Sequence, residues 1–296
     1  MFQFTLPGHA APIRLKTLLK QYGISDRYWK KLKMSGTIRV NGLAQDRDCM
    51  LGPGDRVEWD FLPETSALLP EETAVSVLYE DNVLLAVAKP AGLLTHNPGK
   101  ERISALSRRV AWYYRQKEIA AAVHPVSRLD KETSGLVLFA KNACIHHMMT
   151  NRPLTKVYLG LTEGRWDVKA GIMDGPIARK PGSIIERMVD YEKGRPAETK
   201  YEVLAEGNGI SLVRFVLSTG RTHQIRVHCA AAGHPLMGDS LYGRPQPQQR
   251  HLLHAYALSF VHPLTGKPIT IKAPLPDDMK EVMRKALPAD KIRKYI

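Results

Sequence analysis

A polar segment over residues 124–136 interrupts otherwise apolar sequence, and it carries an arginine and an aspartate two positions apart. It reads HPVSRLDKETSGL, with Arg128 and Asp130 ahead of a Thr-Ser-Gly turn that leads into the apolar run 136–140. A turn before a buried strand can hold a carboxylate at the floor of a cleft, while small hydroxyl side chains satisfy the local backbone. The segment indicates either a catalytic carboxylate, Asp130, or an Arg–Asp pair that only braces the loop.

A second polar segment, STGRTHQIRVH over residues 218–228, places another arginine where a strand is expected to give way to a helix. Gly220 permits a tight turn, and Thr222 is a suitable N-cap for a helix over residues 222–232. Arg221 then lies at the strand–helix junction, from which a guanidinium can reach into a cleft. Its alternative role is structural, in binding carboxylate or carbonyl groups of the preceding loop.

Several common cofactor and metal sites are disfavoured by missing motifs. The sequence has no GxGxxG dinucleotide fingerprint and no GxxxxGK[ST] phosphate loop. The residues His223, His228, Cys229 and His234 fall on different faces of the predicted helix, with no CxxC or HExxH motif beside them. We therefore expect neither a metal nor a cofactor.

The elements that must position these segments alternate short strands with a few helices. Helical spacing predicts a helix over residues 104–115 in addition to the one over 222–232. Apolar runs predict strands over residues 83–88, 136–140, 157–161, 201–204 and 212–217. This order predicts one α+β domain over residues 75–296 rather than regular βαβ winding.

Positive charge is concentrated near the N-terminus. The chain has 43 Lys and Arg against 29 Asp and Glu, and its net charge of +14 fits a polyanionic partner such as nucleic acid. Residues 13–39 carry eight basic side chains and one acid, whereas residues 61–82 carry five acids and no base. With its two prolines, the acidic stretch reads as a linker over residues 61–74 after a small basic domain, residues 1–60.

Two short helices and a hairpin are predicted within this basic domain. One helix covers residues 12–22, Ser25 caps the second, Gly36 ends it, and Asn41-Gly42 forms a hairpin turn. The stretches ISDRYWKKLKMSGTIRVNG and LGPGDRVEW make residues 12–60 resemble the S4-type RNA-binding domain. The alternative is a helical cap whose lysines only keep it soluble. RNA binding through phosphate contacts would use Arg14, Lys16, Arg27, Lys30, Lys31 and Lys33.

The larger domain resembles the RluA/RluD family of pseudouridine synthases. SRLDKETSGLVLFAKN is similar to the family's catalytic loop, TKVYLGLTEG to its second motif, and GRTHQIRVHCAAAGHPLMGDSLYG to its third. AKPAGLLTH and LLHAYALSFVHPLTG match flanking signatures, so the resemblance covers residues 75–275. It departs at Ser127, where a histidine is common, and at Ala88, where an asparagine is common. It implies an α+β fold built on a mixed, mainly antiparallel sheet.

That family converts a uridine in RNA to its C5-linked isomer. The resemblance implies that Asp130 is the carboxylate near C1′, where attack, stabilisation of a cationic sugar and proton transfer all remain open. It implies that Arg221 pairs with Asp130 and holds it ionised in one rotamer, and that Tyr158 is the active-site tyrosine. Arg128 would fill the gap left by an extruded uridine, and Ile225 would lie beneath its base. The isomerisation requires no cofactor, metal or energy donor.

The sequence further predicts a cytoplasmic monomer whose partner is RNA. Its three cysteines are far apart, which is typical of a reducing compartment, and we see neither a membrane-spanning run nor a secretory signal. Large-subunit rRNA is favoured as substrate because S4-bearing members of the family resemble such enzymes, with tRNA as the alternative. The histidine-rich helix is expected to contact RNA. A non-catalytic RNA-binding or ribosome-assembly factor would need none of Asp130, Tyr158 and Arg221, and the missing glycine-rich loop disfavours a methyltransferase.

Overall fold

The basic N-terminal residues form two short helices beside a small antiparallel sheet. The computed structural model describes residues 2–96, 103–244 and 250–296. The elements up to residue 60 are β1 (Phe2–Thr5), β2 (Ile13–Arg14), α1 (Leu15–Gln21), α2 (Asp26–Ser35), β3 (Ile38–Val40), β4 (Leu43–Ala44), β5 (Met50–Leu51) and β6 (Arg56–Trp59). The sheet has the order β1-β6-β3-β4, and β2 pairs with β5. Strand β1 lies outside the elements that the sequence predicts.

The helix ends and the hairpin turn in this region confirm the prediction. The Ser25 hydroxyl accepts a hydrogen bond from the backbone N–H of Tyr28 and so caps α2. Gly36 ends the same helix in the left-handed region at φ +67°. Asn41 and Gly42 have φ values of +52° and +81°, as a two-residue turn between β3 and β4 requires.

The predicted linker over residues 61–74, all of it described by the structure, has no helix or strand but is hydrogen-bonded to both parts of the molecule. Leu62 donates its backbone N–H to the Tyr28 hydroxyl on α2 over 3.0 Å. Glu64 contacts His124 at 2.6 Å and accepts the backbone N–H of Ala143 at 3.0 Å. One apolar cluster also contains side chains from α1, from α2 and from the larger part of the chain. The segment is therefore held by contacts with both parts of the molecule.

The rest of the chain folds around a ten-stranded mixed sheet. Its helices are α3 (Leu106–Gln116), α4 (Ala143–Thr150), α5 (Gln224–Ala231), α6 (Asp277–Ala286) and α7 (Ala289–Ile292). Its strands are β7 (Ser76–Glu80), β8 (Leu84–Lys89), β9 (His124–Pro125), β10 (Ser134–Ala140), β11 (Thr155–Glu163), β12 (Ala170–Met173), β13 (Ile177–Arg179), β14 (Arg187–Val189), β15 (Thr199–Gly207), β16 (Ile210–Leu217), β17 (Leu253–Val261) and β18 (Pro268–Lys272). Strands β13 and β14 form a separate hairpin.

The large sheet has the order β12-β15-β16-β11-β17-β10-β8-β7, with β18 beside β17 and β9 beside β10. Among the described strands of this sheet, the pair β10 and β17 is parallel and the others are antiparallel. The predicted α+β class with a mixed, mainly antiparallel sheet is confirmed. The five predicted strands correspond to β8, β10, β11, β15 and β16, and the two predicted helices correspond to α3 and α5. No helix in the described part of the chain is long and apolar enough to cross a membrane.

The parallel pairing of β10 with β17 depends on a glycine. Gly135 has φ +116°, and a Cβ atom built there would lie 2.4 Å from the backbone oxygen of Ala255. Backbone atoms cannot move aside as the end of a flexible side chain can. Gly135 therefore lets the strand that follows the Asp130 loop approach the centre of the sheet.

We expect Gly135→Ala to lower the free energy of unfolding by at least about 3 kcal/mol, because it adds a backbone clash to an unfavourable φ. Urea denaturation measures the loss. The matched control is Gly8→Ala, where a Cβ meets nothing within 4 Å, and a change of less than about 1 kcal/mol is expected. Equal stability of the two variants would contradict the close approach.

Candidate active site

Five residues singled out from the sequence line one open cleft with a volume of about 410 Å³. They are Arg128, Asp130, Tyr158, Arg221 and Ile225. The loop between β9 and β10 supplies the first two, and β11 supplies the tyrosine. The segment that precedes α5 supplies Arg221, and the first turn of α5 supplies Ile225. Among the described lining residues Asp130 is the one carboxylate, whereas arginine and lysine side chains line the cleft at four positions. The cleft thus suits an anionic ligand presented to a single acid.

Backbone hydrogen bonds hold the Asp130 loop in place. Thr95 Oγ1 accepts the N–H of Leu129 at 3.0 Å and donates to its carbonyl at 2.9 Å. Thr133 N–H donates to the Asp130 carbonyl over 3.1 Å. The Ser127 hydroxyl accepts the N–H of Leu138 on β10 at 3.1 Å, which shows what the serine does at this departure from the family pattern. The loop therefore presents the Asp130 side chain from a fixed backbone.

A buried lysine reinforces the same loop. Lys89 ends β8 and is 2% exposed. Its ammonium donates to the carbonyls of Pro90, Leu93 and Lys131 at 2.9, 2.7 and 2.9 Å. Burial lowers the pKa of Lys89 to about 7, although the nearby charges of Glu132 and Asp130 oppose that shift. Lys89 thus joins the AKPAG motif to the loop that carries Asp130.

The guanidinium closest to the Asp130 carboxylate belongs to Arg226 and not to Arg221. Arg226 Nη1 lies 3.8 Å from Asp130 Oδ2. Arg221 is exposed and donates its Nε–H to the carbonyl of Pro196 over 3.0 Å, and no ion pair joins it to Asp130 among the described residues. The predicted Arg221–Asp130 pair is therefore wrong. The physical reason is that Arg221 precedes α5, so its side chain follows the loop while Arg226 projects from within the helix.

Arg226 is itself held by a second, fully buried carboxylate. Its Nε and Nη2 donate to the two oxygens of Asp239, each over 2.7 Å. Asp239 also accepts the backbone N–H groups of Leu241 and Tyr242. Burial alone would raise the pKa of Asp239, but these hydrogen bonds and the Arg226 charge together hold it below its usual value. The Tyr242 ring lies 5.0 Å from the guanidinium carbon and covers it. This bidentate pair fixes where the guanidinium meets Asp130.

His223 also approaches the Asp130 carboxylate, in an uncommon backbone conformation. It forms the N-cap of α5 at φ +59°, and its side chain makes no capping hydrogen bond. The prediction that Thr222 caps this helix is therefore wrong, because the left-handed turn at His223 starts α5 one residue later. The Nε2 atom of His223 lies 3.9 Å from Asp130 Oδ2. Burial lowers the pKa of His223, the Asp130 charge opposes this, and the guanidinium of Arg226 adds to the lowering.

Tyr158 and Lys156 reach the cleft from the same strand. Burial, with a smaller contribution from the Asp130 charge, raises the pKa of Tyr158, so the phenol is neutral near pH 7. Burial also lowers the pKa of Lys156, which lines the cleft two positions earlier. A neutral aromatic ring can stack on a base, and a cation beside it can contact the phosphate of the same nucleotide.

The other histidines and cysteines do not converge on a metal. Within the part of the chain that the structure describes, no group of three His, Cys, Asp or Glu side chains is placed to hold one. His228 is 2% exposed and contacts Thr199 Oγ1 and the Gly175 carbonyl at 2.9 and 2.8 Å. This side chain is therefore not exposed for the RNA contact that the sequence predicted for its helix. His234 stacks on Trp166 with 4.3 Å between ring centroids.

Some cations of the N-terminal region have a partner in the structure, and others are exposed along α2. Arg14 lies 3.6 Å from Asp48, and Lys16 lies 3.0 Å from Asp26. The ammonium of Lys33 lies over the Trp29 ring at 5.5 Å. Exposed side chains along α2 complete the set, namely Arg27, Lys30 and Lys31.

Sequence reasoning missed Arg226 and Asp239, and it considered His223 for a metal or for RNA contact but not as a neighbour of Asp130. A signal was present for the pair, because an arginine between Ile225 and Val227 on a buried helix requires a carboxylate partner, and Asp239 follows thirteen positions later. Nothing in the local sequence predicts that His223 adopts a φ of +59° beside Asp130.

The cationic cleft around a single acid indicates a protein that binds a polyanion such as a nucleic acid. A family model described as RNA pseudouridylate synthase matches residues 83–231. An RNA pseudouridine synthase of Bacillus subtilis (strain 168), YhcT, described as uncharacterized, is 36% identical over 278 residues, 91% of each chain. The ribosomal large subunit pseudouridine synthase D of Nitrosomonas europaea is 31% identical over 303 residues, 95% of this chain and 87% of that protein.

Among solved structures, human RNA pseudouridylate synthase domain containing 4 has the same fold at a TM-score of 0.60. It is 22% identical and covers 71% of this chain and 92% of its own. The chain belongs to the RNA pseudouridylate synthase family. It is therefore an isomerase that converts uridine in RNA to pseudouridine, as the sequence resemblance implies.

Proposed function

We propose that Asp130 is the catalytic carboxylate and acts at the ribose C1′ of an extruded uridine. The observation that carries this role is its position as the one acid among the described lining residues, 3.8 Å from the Arg226 guanidinium. Both His223 and Arg226 approach Oδ2, which leaves Oδ1 to face the sugar. A carboxylate so placed can attack C1′ or stabilise positive charge that develops there.

The isomerisation breaks the N1–C1′ bond, turns the base and forms a C5–C1′ bond, while the hydrogen lost from C5 is balanced by one gained at N1. No atom enters or leaves. Tyr158 stacks against the freed uracil in this proposal, and Ile225, 3% exposed, forms the apolar wall beneath it. Both side chains keep the base close to C1′ while it turns.

A uridine stacked in RNA cannot reach Asp130, so the nucleotide must leave its helix. Arg128 is exposed at the edge of the cleft, two residues before Asp130. Its planar cation suits insertion into the vacated stack. Arg221, exposed on the opposite segment of the lining, contacts the RNA backbone in this proposal rather than Asp130.

We also propose that residues 1–60 are an S4-like RNA-binding domain. The support comes from the two helices and the Asn-Gly hairpin, which match the predicted pattern, and from the exposed cations of α2. Such cations bind phosphates by releasing condensed counterions, so their contribution depends on salt.

We expect Lys30→Ala/Lys31→Ala to weaken RNA binding and to make the slope of log K against log salt shallower by about two. Fluorescence anisotropy between low and moderate salt measures both quantities. The control is Lys285→Ala, which removes an exposed lysine of α6 that pairs with Glu281 and should leave the slope unchanged. An unchanged slope in the double variant would remove α2 from the RNA interface.

The proposed substrate is large-subunit rRNA. The support comes from relatives such as the Nitrosomonas europaea protein, which is a ribosomal large subunit pseudouridine synthase. The enzyme is proposed to act as a monomer in the cytoplasm, and its cysteines Cys49, Cys144 and Cys229 are free.

Carbodiimide labelling of RNA incubated with the enzyme tests this proposal, because the reagent leaves a stable adduct on pseudouridine. We expect site-specific labelling of large-subunit rRNA transcripts. Labelling confined to tRNA would contradict the proposed substrate and identify tRNA in its place. Binding without labelling of either RNA would support a non-catalytic ribosome-assembly role instead.

A further inference from the structure

His223 carries a strained backbone next to the proposed catalytic carboxylate. Its φ of +59° lies in the left-handed region, which residues other than glycine rarely adopt, although histidine does so more often than most, and such a conformation persists where surrounding contacts hold it. Its side chain is 11% exposed and lies between Asp130 and Tyr242. Strain at such a place suggests that the imidazole has a role at the site.

The two ring nitrogens of His223 face different partners, Tyr242 at Nδ1 and Asp130 at Nε2. The Tyr242 hydroxyl accepts the backbone N–H of Arg187, on β14, over 2.7 Å. It lies 2.8 Å from His223 Nδ1, close enough to donate its own proton to that nitrogen. A neutral imidazole that accepts at Nδ1 carries its proton on Nε2, the nitrogen 3.9 Å from Asp130 Oδ2.

We propose that His223, oriented by Tyr242, is a positioning residue that keeps one oxygen of Asp130 turned away from the ribose. Its Nε2–H and the Arg226 guanidinium both face Oδ2, and they reach it from α5. Such contacts often shorten when substrate fills an open site. The inference rests on the proposed role of Asp130, because a carboxylate that did no chemistry would need no positioning.

The first test separates turnover from binding. We expect His223→Asn and Tyr242→Phe each to lower kcat by about 10- to 100-fold, with RNA Kd within about threefold of the wild type. Asparagine tolerates the left-handed region, so His223→Asn removes the imidazole without adding backbone strain. The double variant should lose no more than His223→Asn alone, because the two residues act in series. Additive losses, or a kcat unchanged in His223→Asn, would overturn the proposal.

The second test reads the proton directly. A long-range ¹H–¹⁵N spectrum at pH 7, with the His223 signal assigned from its absence in His223→Asn, should show the Nε2-protonated tautomer. The groups that face this imidazole are Asp130, Arg226, Arg187, Asp239, Tyr242 and His251. Tyr242→Phe should shift the tautomer balance towards Nδ1–H. A wild-type His223 protonated at Nδ1, or at both nitrogens, contradicts the proposal.

The two proposals fail in different ways. Wild-type turnover in Asp130→Asn would remove the catalytic role of Asp130 whatever His223 does. An inactive Asp130→Asn beside a fully active His223→Asn would leave that role intact and reject only the positioning by His223.

Discussion

Asp130→Asn is expected to abolish pseudouridine formation while leaving the fold and RNA binding intact. Asparagine has nearly the same size but cannot act as a nucleophile or balance positive charge at C1′. We expect turnover to fall by at least about 10⁴-fold, the scale seen when a catalytic nucleophile is removed. Carbodiimide labelling over a long time course measures turnover, and anisotropy measures RNA affinity.

The matched control for this variant is Glu132→Gln. Glu132 lies two residues further along the same loop, and its oxygen is 4.0 Å from the ammonium of Lys131. The substitution Glu132→Gln neutralises a nearby carboxylate that is not part of the cleft lining, so turnover should stay within about threefold of the wild type. Turnover retained within tenfold in Asp130→Asn would remove Asp130 from the catalytic role.

Arg226→Lys is expected to have the second largest effect. A lysine keeps the charge but cannot form the bidentate pair with Asp239, so the cation no longer stands at a fixed distance from Asp130. We expect kcat to fall about 100-fold, the scale of a small displacement at a reacting group. Single-turnover kinetics under saturating enzyme measures this loss independently of RNA binding.

The free energy of unfolding of the Arg226 variants must be measured alongside their kinetics. Arg226→Met would leave Asp239 buried and unpaired, which is expected to cost about 3–5 kcal/mol, whereas Arg226→Lys should cost less. The comparison variant is Arg221→Lys, whose side chain contacts Pro196 instead. It should lower kcat/KM by no more than about tenfold, as a lost backbone contact would. A larger loss from Arg221→Lys than from Arg226→Lys would restore Arg221 as the partner of Asp130.

The sequence predicted well where structure depends on a few neighbouring residues. The cap at Ser25, the helix end at Gly36 and the turn at Asn41-Gly42 each follow from the φ and ψ values that these residue types favour. The long motifs likewise located Asp130 and Tyr158 on a loop and a strand that line one cleft.

The tertiary structure decided what depends on distant pairing. The order of the large sheet, with β17 parallel to β10, joins segments more than a hundred residues apart, and no local preference specifies it. That arrangement places the Asp130 loop beside α5. An arginine buried next to Asp130 must then have a partner that offsets the cost of removing its guanidinium from water. Arg226 is buried and stays because Asp239 satisfies its guanidinium, whereas Arg221 stays exposed on the loop. The sequence thus predicted which residue types occur at the site. Burial and strand pairing decided which of these side chains contact one another.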